Sequence, residues 1–137
     1  MTSRSIRERR GADARRSGRG AEVLAAIWLM AKGYRILGFR LRTTHGEIDL
    51  LALRGAVLAV VEVKRRRTLE EARAAVTPEQ QRRLRRAAAS VRGRRRALQD
   101  RRIRLDLFAL APGARPCHIV DAWSDLTRPG ASLEHDA

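Results

Sequence analysis

Cysteine is almost absent from this chain. Cys117 is the only one in 137 residues, so no internal disulfide, no paired-cysteine redox centre and no zinc site of the usual spacing can form. That usage fits a reducing, cytoplasmic setting. Aromatic residues make up 4%, too few for the rows of stacked side chains on which single-strand binders lay successive bases. No apolar run approaches the roughly 18 residues of a transmembrane helix, so no membrane partner is expected. The apolar stretch Val23 to Met30 is bracketed by Glu22 and Lys32. No small-residue cleavage site follows it, which argues against a secretory signal.

Positive charge is what the chain has in excess. Lys and Arg number 30 against 15 Asp and Glu, a net charge of +15. Such a field favours polyanions: nucleic acid, an anionic membrane surface or ribosomal RNA. Nearly all of it is arginine, which forks onto phosphates and stacks on bases. Length and a hydrophobic content of 44% suit one globular domain. Residues 1–18 read as a basic, disordered arm, residues 19–125 as the domain, and residues 126–137 as a disordered tail with Pro129-Gly130.

The chain is organised around Gly46 to Lys64, G-E-I-D-L-L-A-L-R-G-A-V-L-A-V-V-E-V-K. Two apolar runs flank Arg54-Gly55, and period-2 charge with β-branched residues predicts a β-hairpin. Glu62 and Lys64 share a face, as do Glu47 and Asp49. With Arg54-Gly55 as the loop, Asp49 and Glu62 are diagonal neighbours. With a tip centred on Gly55 between Leu53 and Val57, they stand directly opposite. A slip by one residue separates them onto opposite faces. In two of these three registers the carboxylates converge beside a lysine. Converging like charges repel unless a cation joins them, and an oxygen-rich pair suits Mg²⁺ or Mn²⁺.

The rest of the chain supplies flanking elements. Residues 20–32 read as a helix ended by Gly33, burying Val23, Ile27 and Met30 with Ala26. Tyr34 to Arg42 reads as a strand, and Thr43 to Gly46 as a turn that leaves His45 in solvent. Arg65, Arg66 and Arg67 cluster at the end of the hairpin, placed to hold phosphates. Thr68 to Ala75 reads as a short helix or loop. Thr77-Pro78-Glu79-Gln80 is a helix start, with a stripe of Leu84, Ala87, Ala88 and Val91 for burial and Arg82, Arg83 and Arg86 outside it. Ile103 to Ala109 reads as a strand with one polar face carrying Arg104, Asp106 and Phe108. There Asp106 pairs with an arginine rather than serving as a further metal ligand. His118 to Ala122 reads as a last strand, closed by Trp123.

An Asp followed about a dozen residues later by Glu-x-Lys on a hairpin resembles the PD-(D/E)-x-K nucleases. G-E-I-D-L with V-E-V-K-R resembles, more closely, the bacterial YraN family. Gly20-Ala21-Glu22, Lys32 to Leu37, Ala75 to Pro78 and Arg104-Leu105-Asp106 extend the resemblance over about residues 18 to 122. Gln80 and Gln81 stand where that family often carries a lysine. The resemblance implies an α/β, restriction-endonuclease-like fold: a mixed central β-sheet flanked by helices. It implies a kinship with junction-cutting enzymes that work as dimers, and a Glu22 that reaches toward the metal site.

Three functions follow as expectations. The first is a metal-dependent endonuclease on nucleic acid, DNA before RNA, on branched or structured substrates. Asp49, Glu62 and the Val63 carbonyl would hold Mg²⁺ or Mn²⁺, Lys64 would act on the attacking water or the phosphorus oxygens, and Glu22 would supplement them. Arg65, Arg66, Arg67, Arg82, Arg83 and Arg86 would bind flanking phosphates. The second is a non-catalytic, arginine-rich nucleic-acid-binding protein on the same fold. The third is a structural partner of a ribosome or a DNA-processing complex.

Overall fold

The computed structural model describes residues 19–124 and the backbone of His135–Asp136. The arm expected over residues 1–18 lies outside them, as does the tail over residues 126–137 apart from that two-residue strand. Helix α1 runs over residues 19–31. Strands β1 (Arg35–Thr43), β2 (Gly46–Arg54) and β3 (Val57–Arg65) follow, then helices α2 (Leu69–Ala74) and α3 (Pro78–Arg94). A single 3₁₀ turn, Arg96–Leu98, leads into β4 (Arg102–Leu110), β5 (Cys117–Ile119) and β6 (His135–Asp136).

The sheet order is β1-β2-β3-β4-β5-β6. β3 and β4 are parallel, joined by the α2–α3 crossover, and every other pair is antiparallel. This is the expected mixed sheet with helices on both faces, consistent with a restriction-endonuclease-like fold. The centre is buried on both sides because its strands are near-continuous apolar runs. Leu58, Val60, Leu105 and Leu107 pack with Leu84, Ala87, Ala88 and Val91 of α3. Ala59, Val61, Leu50 and Phe108 pack with Ala25, Ala26 and Leu29 of α1.

The start of α3 follows its sequence signal. Thr77 accepts from the Gln80 backbone N–H at 3.2 Å, and the Gln80 side chain accepts from the Thr77 N–H at 3.0 Å. Pro78 occupies the first turn, where its missing N–H costs nothing. The helix continues three residues beyond the expected Val91, to Arg94.

Helix α1 is turned the other way from expectation. Val23, Ile27 and Met30 are 52%, 54% and 52% exposed, whereas Ala21, Ala25, Ala26 and Leu29 are buried. Alanines let the helix axis come close to the sheet, and that gain outweighs burying the larger stripe. The strands also differ in their bounds. β1 begins at Arg35 rather than Tyr34, and the hairpin loop is Gly55-Ala56, with Arg54 already paired to Val57. Gly55 takes the left-handed φ of +54° that this tight turn needs. β5 ends at Ile119, and Asp121 turns the chain with φ +52°.

The polar face of β4 turns inward past Arg104. Asp106 and Phe108 are fully buried, Phe108 under Ala25, Ala26 and Leu29 of α1. Asp106 is tolerated there because four donors surround it. Arg104 Nε and Nη2 each donate at 2.8 Å, and the Asp121 backbone N–H donates at 3.0 Å. The fourth, His118 Nε2, lies 2.8 Å away and is also fully buried. Lys32 Nζ stands 3.1 Å from His118 Nδ1. An ammonium only donates, so Nδ1 accepts and Nε2 carries the proton toward Asp106. Burial opposes the Asp106 charge, but the His118 and Arg104 hydrogen bonds overcome it and hold the carboxyl below the usual carboxylate range.

Removing Asp106 should strand two cationic or donor groups in the core. We expect Asp106→Ala to lower the free energy of unfolding by about 3–5 kcal/mol. Glu79→Ala, which removes an exposed partner 3.8 Å from Arg83, should cost less than about 1 kcal/mol. Urea titration followed by circular dichroism distinguishes them, and equal effects would contradict the account of β4.

Candidate active site

The site lies where the β2–β3 ladder stops. The last paired rung is Leu50 with Val61, and one step further places Asp49 opposite Glu62. This is the directly opposed register of the three that the sequence allowed. Leu58 and Val60 face α3, so alternation turns Glu62 and Lys64 to that face as well. With no further rung on the β2 side, the Val63 backbone N–H donates instead to Asp49 Oδ2 at 3.0 Å. In an extended strand a residue's carbonyl points to the same neighbour as its N–H, so the Val63 oxygen is aimed toward Asp49 too.

β2 is twisted at that rung. Side chains two apart share a face in a regular strand. Ile48 nevertheless joins the α3-side core while Leu50 joins the α1-side core. Across the sheet, β1 pairs Phe39 with Leu50 and Leu41 with Ile48, so Arg40 stands against Asp49. Arg40 has φ +47°, a left-handed conformation that a residue with a Cβ adopts at a cost of about 1–3 kcal/mol. Distortion on both strands at one rung releases Asp49 from the regular pleat and brings its carboxylate to the Val63 amide.

Glu62 is the most perturbed carboxyl of the site. Burial first and the nearby Asp49 charge second, opposed by Lys64, together push its pKa up to about 7. Lys64 Nζ lies 3.2 Å from Glu62 Oε1, and both side chains are mostly buried. Asp49, Glu62 and Lys64 are therefore brought together. Glu22 is brought elsewhere: Arg40 Nε lies 2.8 Å from its Oε2. That bond, with the Glu22, Glu47 and Asp49 charges, holds the Arg40 guanidinium above its ordinary pKa against the smaller opposing effect of burial. Glu22 thus connects to the carboxylate pair through Arg40. Among the described residues no three His, Cys, Asp or Glu side chains gather into a metal-binding group.

A cleft of about 100 Å³ opens beside Glu62, lined by Gly46, Glu47, Val76, Gln80, Arg83 and Leu84. Arg83 is thus the α3 arginine that reaches the site. The φ of +126° at Gly46 favours glycine, and a Cβ added there would also crowd the Arg83 Cδ at 3.0 Å. Arg82 and Arg86 are exposed on α3 without lining this cleft, and Arg65, Arg66 and Arg67 are exposed just past Lys64. His45 is exposed in the β1–β2 turn, as expected. Arg40 was missed, since in sequence it is one of three alternating arginines. Only its backbone conformation and its rung distinguish it.

The two carboxylates and the Val63 carbonyl form a hard, all-oxygen donor set. Such a set could hold one Mg²⁺ or Mn²⁺, ions that commonly use one or two carboxylates and complete their shell with water. Without a cation, the raised Glu62 carboxyl makes stability depend on pH. The folded state keeps a proton between about pH 4.5 and 7 that the unfolded state releases, so stability falls as pH rises through that window. In EDTA, Glu62→Gln should flatten this slope and gain about 1–2 kcal/mol over wild type at pH 8, with little gain at pH 4.5. Urea midpoints at the two pH values test it, and a slope unchanged by the substitution would contradict the burial assigned to Glu62.

Comparison with known proteins places this geometry in a family. The sequence model described as "Uncharacterised protein family UPF0102" matches residues 21–110, from the first turn of α1 to the end of β4. A UPF0102 protein of Caulobacter sp. strain K31 is 63% identical over 124 residues, covering 90% of this chain and 89% of the relative. One from Caulobacter vibrioides strain NA1000 is 63% identical over 118 residues, covering 86% and 94%. The Maricaulis maris protein Mmar10_3014 is 49% identical over 117 residues, covering 85% and 91%. With Asp49, Glu62 and Lys64 all inside the matched region, the chain belongs to the UPF0102 family, also called YraN.

Proposed function

We propose that this protein is a divalent-metal-dependent endonuclease, hydrolysing phosphodiester bonds in nucleic acid. The observation that carries the reading is the Asp49–Glu62 rung, two carboxylates converging in a mostly buried position. As a purely structural feature it is unfavourable, because burying like charges together costs stability. The Asp106 cluster shows the contrast: where a buried carboxylate is structural, this chain surrounds it with donors.

Asp49, Glu62 and the Val63 carbonyl would hold Mg²⁺ or Mn²⁺. When bound, the cation would lower the pKa of a coordinated water and take up charge on the phosphate oxygens. Lys64, held at 3.2 Å from Glu62, is a fixed ammonium on the same face. It would orient the attacking water or stabilise charge developing on the phosphorus oxygens. Arg83, on the opposite wall of the cleft, would hold the phosphate entering from α3. Arg65, Arg66 and Arg67 continue the positive track past Lys64. Glu22 would act on the site through Arg40. Net charge of +15 gives attraction to any nucleic acid and a steep salt dependence. No described helix is long and apolar enough to cross a membrane.

The test is incubation of the purified protein with labelled duplex, flap and four-way-junction DNA and with RNA, in Mg²⁺, Mn²⁺ or EDTA. We expect cutting that requires the metal and falls about a hundredfold or more in Asp49→Asn, Glu62→Gln and Lys64→Ala. Tight binding without cutting, indifferent to EDTA and to these variants, would replace the enzyme with an arginine-driven binding protein.

A further inference from the structure

A second concavity lies on the other side of Arg40. It has a volume of about 260 Å³ and is lined by Arg19, Glu22, Val23, Phe39 and Arg40. It sits between α1 and the edge strand β1, and its walls have a definite order. Phe39 and Val23 present apolar surface, 45% and 52% exposed. Two guanidinium groups, Arg19 and Arg40, stand at its rim. Phe39 is the only aromatic among the exposed large hydrophobic residues of the described chain.

The position of Arg40 ties this concavity to the carboxylate pair. Glu22 engages the guanidinium through Nε, and no other described residue accepts from Nη1 or Nη2, which leaves those donors for an anion. The same residue stands against Asp49 across the β1–β2 ladder. A ligand gripped by Arg40 therefore lies at the β1 edge on the α1 side of the sheet, while the Glu62 cleft opens on the α3 side.

The chemistry asked for by these walls is a flat apolar face with negative charge attached to it. We propose that the Phe39–Arg40 concavity is a nucleotide subsite, in which one unpaired base stacks on Phe39 and its phosphate is held by Arg40. The inference rests on the nucleic-acid reading above and narrows it. A base inside a duplex has no free face to offer Phe39, so the subsite selects nucleic acid that carries an unpaired nucleotide. Glu22 is a positioning residue here, setting the guanidinium that the left-handed backbone of Arg40 presents. The scarcity of aromatics excludes an extended stacking platform, but one ring at the right place suffices for one base.

The experiment measures binding in EDTA, so that no hydrolysis intervenes. Fluorescence anisotropy would compare a labelled single-stranded oligonucleotide with a blunt duplex of the same length, for wild type, Phe39→Ala and Phe39→Tyr. Loss of one base–aromatic stack should weaken single-strand binding about tenfold in Phe39→Ala, with duplex binding changed less than about twofold. Phe39→Tyr, which keeps the ring, should bind like wild type. A 2-aminopurine in the single strand should lose emission on binding to wild type and not to Phe39→Ala. Unchanged single-strand affinity in Phe39→Ala, or an equal loss for both substrates, would overturn the proposal. So would a Phe39→Ala protein that binds normally but sediments as a smaller species, because the concavity would then be a contact between copies. Failure of metal-dependent cutting alone would sink the nuclease reading and leave this binding result standing. Intact cutting with unchanged single-strand binding would sink the subsite alone.

Discussion

Two carboxylates that ought to repel share one rung of the sheet, and much of the local structure is arranged around that pairing. Asp49 and Glu62 meet where the β2–β3 ladder ends. Lys64 offsets part of the charge from one side and Arg40 from the other. The offset is incomplete, since burial and Asp49 together keep the Glu62 carboxyl at about 7. The distortions at Arg40 and Asp49, and the preference for glycine at position 46, all fall within this neighbourhood. Stability is given up locally, which is how binding and catalytic sites commonly differ from the core that carries them.

The chain handles buried charge in two ways. In the Asp106 cluster each carboxylate oxygen has donors, the network runs through His118 to Lys32 and through Arg104 to Tyr34, and the result is a pinned β4–β5 pair. At Asp49 and Glu62 the donors are fewer and the carboxylates face each other. Satisfied networks specify structure, whereas an under-compensated one is a position of readiness for a cation. β3 and β4 are adjacent and parallel, so the rigid cluster directly buttresses the strand that carries Glu62 and Lys64.

Much of this was legible in the sequence, and the exceptions have physical reasons. The G-E-I-D-L and V-E-V-K runs marked the hairpin because alternation on strands is strict, and Thr77-Pro78-Glu79-Gln80 marked α3 because capping is local chemistry. The register was narrowed to three possibilities but not chosen, since the choice depends on whether the turn starts at Arg54 or Gly55. The face of α1 was misread, Ala26 apart, because periodicity rewards large side chains, while the packing distance to the sheet favours small ones such as Ala21 and Ala25. β4 looked amphipathic because Arg104 and Asp106 are polar by type. The Arg104–Asp106 pair is local and was expected, whereas the His118 and Asp121 donors and the α1 cover over Phe108 are long-range facts. Arg40 carried no local signal, as its distinction is a left-handed φ imposed by the rung it shares with Asp49.

The proposed role of the Asp49–Glu62 rung is to hold one hard divalent cation. Calorimetric titration of Mn²⁺ into the metal-free protein at pH 8 tests it directly, with Asp49→Asn, Glu62→Gln and Glu22→Gln alongside. Wild type should show one saturable site that is lost in Asp49→Asn and Glu62→Gln and retained in Glu22→Gln, whose carboxylate is committed to Arg40. A wild-type protein that takes up no Mn²⁺, or binding that survives both rung substitutions, would contradict it.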